Sequence, residues 1–353
     1  MIRERGLLSS SLASVAFIGL WLGLSACERP TRKAPVDTSA SPVASAAPSA
    51  HPTSELADAM AASDAAPEDA ASVAPGTPST PGTPSTPSTP SAYATAHPLG
   101  GKAIGHTSVV FKLKLEGGLV GAWKPDTRRG RDRYRGEIAA RRLAVALGLT
   151  NVPEALLRSF TKTELRRVLS PEALELFEAE AVADARGLVP GALMPWIDGL
   201  TFPPLEAEPE LSRWKKALAQ SSTETDEMRA LYADLSTLIV FDTVSGNWDR
   251  WSGANIGKDP SSGRLLFVDN DGAFYGAPPP DGLARQRRLL AGTKRFSKRF
   301  VTALRGFDAS RLESVFGEDD AGKPLLSPRA VEGVRSRLRE VLVAIEHGET
   351  SLP

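Results

Sequence analysis

With 353 residues and 42 basic side chains against 42 acidic ones, the chain is neutral overall, which gives no electrostatic reason to bind nucleic acid. One cysteine excludes an intrachain disulfide, so a folded domain here is held by its core alone. Four scattered histidines give no support to a histidine-based zinc site, and no G-x-S-x-G motif marks a hydrolase nucleophile.

Met1 to Ala26 reads as an export signal: Arg3 and Arg5 precede the apolar stretch LASVAFIGLWLGLSA. The stretch closes on small residues ahead of Cys27 and resembles a bacterial lipobox, whose cysteine is lipidated and becomes the mature N-terminus. The alternatives are an uncleaved anchor, or an ordinary signal with an incidental cysteine. Glu28 stands where an aspartate would retain a lipoprotein in the inner membrane, so the expected location is the cell envelope, at the outer membrane. Residues 27–99 are rich in Ala, Pro, Ser and Thr and include PGTPSTPGTPSTPSTPS. Such a segment buries too little apolar surface to offset its ordering entropy, which predicts a disordered tether.

Residues 100–353 are enough for one large or bilobal domain. Two strand-like runs, Val109 to Leu115 and Leu119 to Lys124, flank Gly117-Gly118 and predict a hairpin that Pro125 ends. DRYRGEIAARRLAVALGL follows as a helix closed at Gly148. NVPEALLRSF is ambiguous between strand and loop. Ser170 caps a helix opened by Pro171, and LVPGALMPWIDGL reads as strand or connector. ETDEMRALYADLSTLIVFDTVS predicts a helix with Met228, Leu231, Leu235, Leu238 and Ile239 on one stripe, ending at Gly246. NIGKDPSSGRLLFVDND reads as a second hairpin, and the remainder as helical. The basic run Arg285 to Arg299 reads as a solvated helix face more readily than as a substrate platform.

That order permits phosphoryl transfer, which needs four parts: a lysine on the nucleotide phosphates, an acid orienting it, an aspartate taking the acceptor's proton, and a second aspartate on the metal. Lys124 ends a hairpin strand, Glu137 lies on the next helix, Asp249 follows the long helix, and Asp269 sits at the exit of the second hairpin. WKPD…YRGEIAARRLAVALGLTNVP followed by FDTVSGNWDRWSGANIG…LLFVDNDGAF resembles the secretory-pathway kinases, the Golgi casein kinase and four-jointed group. These are distant relatives of HipA-type and phosphoinositide kinases. The resemblance spans Lys112 to Tyr275. It implies an α+β, bilobal atypical-kinase fold, with a strand-rich N-lobe over about 100–192 and a helical C-lobe over about 198–353. It also implies ATP or another nucleoside triphosphate with Mg²⁺ or Mn²⁺.

By position, the resemblance gives Lys124 and Glu137 to the nucleotide, Asp249 to catalysis and Asp269 to the metal. Asn247 shapes the catalytic loop, and Arg250 either pairs with an acidic group or binds phosphate. Met194 to Ile197, including Trp196, fall at the hinge beside the adenine. Asn255, six residues after Asp249 where typical kinases place their metal-binding asparagine five after, is either a metal ligand or a loop cap. There are departures from the family: Trp251 replaces its histidine, its disulfides are absent, and no G-x-G-x-x-G loop is visible, although GGKAIGHTS is a candidate phosphate cover or a linker end.

Each residue also has an ordinary reading. Lys124 fits a strand-end lysine, Glu137 an i,i+4 partner of Arg133 or Arg141, and Asp249-Arg250 a structural ion pair. Asp269-Asn270-Asp271-Gly272 has the composition of a turn or calcium loop but lacks the closing glutamate. The combined expectation is an exported, lipid-anchored phosphotransferase acting on a hydroxyl acceptor (protein Ser/Thr or sugar), with no nucleic-acid partner. The alternative is an inactive kinase-like nucleotide-binding or structural envelope lipoprotein.

Overall fold

A computed structural model of the chain describes residues 90–104, 108–253, 255–275, 278–319 and 322–353. The expected export signal, Cys27 and the tether as far as residue 89 lie outside the described residues. Folded structure begins ten residues before the expected boundary at 100. Helix α1 (Pro90–Thr95) leads into strand β1 (Pro98–Ile104). The reason is Tyr93, the first aromatic residue after Trp21: it is buried, and its hydroxyl donates to the Val120 carbonyl at 3.0 Å. Gly100 to Ile104, read as a candidate phosphate cover, belong to β1 and pair with the next strand.

Strands β2 (Val110–Leu115) and β3 (Val120–Pro125) form the predicted hairpin, with Gly117 and Gly118 at φ +72° and +73° in its turn. Alternation sends Phe111, Leu113, Leu115 and Trp123 into one core and leaves Lys112, Lys114, Ala122 and Lys124 on the opposite face. Helix α2 (Tyr134–Ala146) follows, and the ambiguous NVPEALLRSF supplies β4 (Leu156–Leu157) and the start of β5 (Phe160–Thr161). A Thr161–Glu164 capping box opens α3 (Lys162–Val168), and Ser170 caps α4 (Pro171–Glu180). Then come β6 (Leu188–Val189) and β7 (Gly191–Pro195). The main sheet runs β1-β2-β3-β7-β4, each neighbouring pair antiparallel. Trp123 is its anchor, 5.2 Å edge-on from Phe160, with its indole N–H on the Arg158 carbonyl.

The second half is helical, as expected, around α5 (Glu210–Ala219) and α6 (Asp226–Ser245). The one-stripe expectation for α6 is corrected: every residue from Tyr232 to Ser245 is buried. A helix enclosed on all sides must satisfy its polar groups internally. Asp234 does so with Arg264, Asn151 and the Leu265 N–H, and Thr243 with the Ile239 carbonyl. The second hairpin is present as β8 (Ile256–Lys258) and β9 (Leu265–Phe267), antiparallel. Helices α7 (Pro280–Gly292), α8 (Lys298–Arg305), α9 (Ala309–Phe316) and α10 (Pro328–Glu346) complete the chain, but not alone. Strand β10 (Arg295–Ser297) pairs in parallel with β11 (Glu349–Leu352), which departs from the all-helical expectation. That strand takes Arg295 out of the basic run and buries it against Glu224, while Arg285, Arg287 and Arg288 stay exposed on α7, Arg287 pairing with Glu340 and Arg285 donating to the Trp251 carbonyl. Among the described residues no helix is long and apolar enough to cross a membrane.

Candidate active site

Two short-range patterns aim the first pair of side chains. Pleat alternation turns Lys124 away from the Trp123 core, and the first turn of α2 presents Glu137 to the same space. The Lys124 ammonium lies 2.6 Å from Glu137 Oε1 and 2.7 Å from Asp269 Oδ1, with Asp271 Oδ2 at 3.6 Å. Glu137 therefore serves the lysine and not the helix partners considered for it, since Arg133 engages Asp271 and Arg141 engages Glu154. Lys124 and Glu137 are only 5% and 3% exposed, so this is a desolvated pair and not a strand-end lysine reaching for water.

Helix α2 reaches the acidic turn through Gly136, where a Cβ would stand 2.6 Å from the Asn270 carbonyl oxygen. Gly136→Ala is expected to destabilise the domain by about 1–3 kcal/mol through overpacking against backbone, and to shift Glu137 off Lys124. The unfolding midpoint in denaturant checks it, and an unchanged midpoint would refute it.

The acidic turn leaves β9 with Asp269 at φ +56° and Phe274 at φ +61°, both left-handed, a costly conformation that clusters at functional sites. Phe274 is held edge-on against Phe316 of α9 at 5.4 Å. Facing this turn, α6 ends in the left-handed Gly246, and the Asn247 N–H bonds back to the Asp242 carbonyl. Asn247 then joins the two loops: its Oδ1 accepts the Asp249 N–H at 3.2 Å, and its amide donates to the Asp269 carbonyl at 3.5 Å. Asp249 is half-buried beside Gly272, where a Cβ would fall 2.9 Å from that of Asp249.

Charge differentiates the carboxylates. Burial pushes Asp269 up, but the adjacent Lys124, then Arg133 and Arg250, outweigh it and hold the group below its ordinary range. Asp271 is pushed up to about 6, first by burial and then by its carboxylate neighbours Asp269 and Glu137, against the pull of Lys124 and Arg133. Asp249 is raised by burial and then by Asp269, the direction that suits a proton acceptor. Burial opposes the charge on Lys124, yet Asp269, Asp271 and Glu137 hold it firmly protonated.

Two expected site residues take the structural one of their two readings, and a third is placed differently. Arg250 is fully buried and is no phosphate ligand: it pairs with Asp242 at 3.0 Å and donates to the Asn255 and Val268 carbonyls and Asn270 Oδ1. Asn255 has the loop-capping role, its amide nitrogen donating to the Asp249 carbonyl at 3.0 Å and Ser252 Oγ at 3.2 Å. Trp196 does not line the cavity beside Lys124; its ring lies under the Lys112 ammonium, 3.9 Å from the centroid. The cavity, about 540 Å³ with its open mouth included, takes Met194, Pro195 and Ile197 from the hinge, with Val110, Ala122 and Val268 as further apolar walls. Three residues were missed. Asp271 and Asn270 were read only as part of a turn or calcium loop, and Arg133 only as a helix partner; nothing local in the sequence says that Asp271 meets Lys124 and Arg133 or that Asn270 meets Glu137 and Arg250.

Among solved structures, the chain is similar to the Golgi casein kinase with Mn/ADP bound, with a TM-score of 0.55 and 14% identity over 73% of this chain and 74% of that one. It is similar to the hydra Fam20 with sugar at a TM-score of 0.54 and 16% identity, over 72% of this chain and 86% of that one. No protein-family model and no curated protein matches the chain. At such identities the likeness is one of fold. The domain has the α+β fold of the secretory-pathway atypical kinases, as the GEIAA and GNWDR segments led us to expect.

Proposed function

We propose that the protein is a phosphotransferase moving the terminal phosphate of a nucleoside triphosphate, ATP first among them, to a hydroxyl acceptor. The observation that carries this reading is the buried Lys124 ammonium held between Glu137 and Asp269 in the wall of a largely apolar cavity. The cavity walls fit a planar base, and Lys124 binds the phosphates with Glu137 fixing its direction. Asp249 takes the proton of the acceptor hydroxyl as the acceptor oxygen bonds to phosphorus and the bond to the leaving nucleoside diphosphate breaks.

The donor set fits a divalent metal. Asp269 and Asp271 offer hard carboxylate oxygens side by side, and Lys124 shows that their surroundings already favour a cation. Among the described residues no group of three or more His, Cys, Asp or Glu forms a metal site by itself. That suits Mg²⁺ or Mn²⁺ carried on nucleotide phosphates and water, with one or two protein carboxylates. When bound, the metal neutralises phosphate charge. The Mn/ADP in the Golgi casein kinase structure supports the same pairing here.

Nucleotide with Mg²⁺ or Mn²⁺ is expected to stabilise the protein by about 2.7 kcal/mol at a hundredfold excess over its dissociation constant. Asp269→Asn is expected to remove the metal-dependent share of that gain. Thermal unfolding reads both, and no shift with any nucleotide–metal pair would sink the proposal.

We also propose that the protein is a lipoprotein of the cell envelope, tethered through Cys27, on the strength of the lipobox resemblance. Cys27→Ala is expected to release it from the lipid fraction or to leave an uncleaved precursor. A wild type that fractionates as soluble would overturn the anchor.

A further inference from the structure

Arg133 is a charge at this site that the phosphotransferase reading does not use. It immediately precedes α2, and its side chain is 30% exposed while that of Lys124 is only 7% exposed, so Arg133 is the more solvent-accessible of the two cations. Its Nη2 lies 2.6 Å from Asp271 Oδ1. Its charge acts on Asp249, Asp269 and Asp271, and on the Tyr275 hydroxyl as well. Its Nε is buried with no hydrogen-bond partner among the described residues. The guanidinium head thus stands among the carboxylate assigned to the acceptor proton and the two assigned to the metal. With those assignments the same position belongs to the phosphate being transferred, whereas Lys124 lies further in, beneath the phosphates nearer the sugar.

Electrostatics gives Arg133 a reason to change partner. Four carboxylates (Glu137, Asp249, Asp269 and Asp271) share two cations, Lys124 and Arg133, because Arg250 is committed to Asp242. Asp269 and Asp271 would hold a divalent metal brought with the nucleotide, and its charge would relieve that negative excess and weaken the hold of Asp271 on Arg133. A planar guanidinium offers paired N–H donors that match phosphate oxygens, so the terminal phosphate is the better partner once the metal is present.

We infer that Arg133 grips the terminal phosphate of the bound nucleoside triphosphate, leaving Asp271 to do so, and holds that phosphate in line with Asp249. The inference rests on the phosphotransferase reading. Arg133 itself forms and breaks no covalent bond. The acceptor oxygen bonds to the terminal phosphorus, the bridging P–O bond breaks toward the nucleoside diphosphate, and the acceptor proton goes to Asp249, while Arg133 stabilises the equatorial oxygens.

The test compares two ligands on the full chain by titration calorimetry with Mn²⁺: ADP, and a non-hydrolysable ATP analogue. Arg133→Ala is expected to weaken the triphosphate analogue by about 10- to 100-fold, the range of a charge-assisted hydrogen bond. ADP affinity is expected to change by less than about twofold, because the contact is with the phosphate ADP lacks. Arg133→Lys, which keeps the charge but loses the fork, is expected to fall between. Equal losses for the two ligands would mean that Arg133 merely shapes the cleft, and no loss for either would mean that it does not reach the nucleotide; both overturn this inference and leave the phosphotransferase reading standing. A wild type that binds neither ligand overturns both. Should Arg133→Ala fail to fold, Arg133→Lys decides the question through the ratio of its two affinities: a selective loss of the triphosphate analogue supports the grip, and an unchanged ratio overturns it.

Discussion

Replacing Asp249 by asparagine is expected to slow phosphoryl transfer by about 10²- to 10⁴-fold, the usual contribution of a positioned general base. Nucleotide affinity is expected to stay within about twofold, because Asp249 does not line the cavity assigned to the base. The change is isosteric, and the fold is expected to tolerate it: the Asp249 backbone, not its side chain, closes the loop through Asn247 Oδ1 and the Asn255 amide. Single-turnover transfer of labelled phosphate, read beside the binding isotherm, separates the two quantities. Parallel loss of binding and turnover would mean that Asp249 is structural.

Replacing Arg250 by methionine is expected to destabilise the domain by about 3–5 kcal/mol, the cost of removing one partner from a buried ion pair. Asp242 would be left charged and enclosed, and the carbonyls of Asn255 and Val268 and Asn270 Oδ1 would each lose a donor. The pH dependence follows from Asp242. Burial raises its carboxyl to about 6 even against the pull of Arg250, and loss of the arginine raises it further. A carboxyl whose folded value lies above its unfolded one contributes stability that is complete below the unfolded value and is lost as pH rises through the folded one. The variant is therefore expected to come nearest to wild type at about pH 5, where Asp242 can accept a proton, and to fall furthest behind at about pH 8. Adding Asp242→Asn to Arg250→Met is expected to recover part of the loss at the higher pH. Denaturant midpoints across that range decide it: a deficit independent of pH would leave Asp242 out of the explanation.

These two residues are adjacent, yet the chain left Arg250 with two open readings and Asp249 with a role expected from the family resemblance. Lys124, Glu137, Asp249 and Asp269 were legible because each sits at a boundary that local chemistry marks. They lie at a strand end before Pro125, in the first turn of a helix, after the glycine that ends a long helix, and at the exit of a hairpin. Periodicity places such boundaries, and alternation then says which side chain turns from the core. The hairpins, α2 and α6 were readable for the same reason, since their backbone bonds close within the segment or across a short turn.

Tertiary structure decided what depends on distant partners. Arg250 had two open readings, pairing or phosphate binding, until Asp242, Val268 and Asn270 closed around it. Asp271 looked like one residue of a turn, and only the folded chain brings Arg133 to it from 138 residues away. Asn255 and Trp196 carried the right residue types at nearly the right spacing, but the loop amide bonds and Lys112 took them elsewhere. Helix α6 showed one apolar stripe and is enclosed on every side from Tyr232 onward, because Arg264, Asn151 and Arg250 reach in to satisfy acids that a stripe would have exposed. The start of the domain at α1 and the β10–β11 pairing escaped for a common reason: six- and three-residue elements have too little pattern of their own, and are held by Val120 and by the far end of the chain. The sequence by itself marked four of the groups that meet at the candidate site; which others join them, and which of them face one another, is set by long-range packing, where burial and charge select among partners that are remote along the chain.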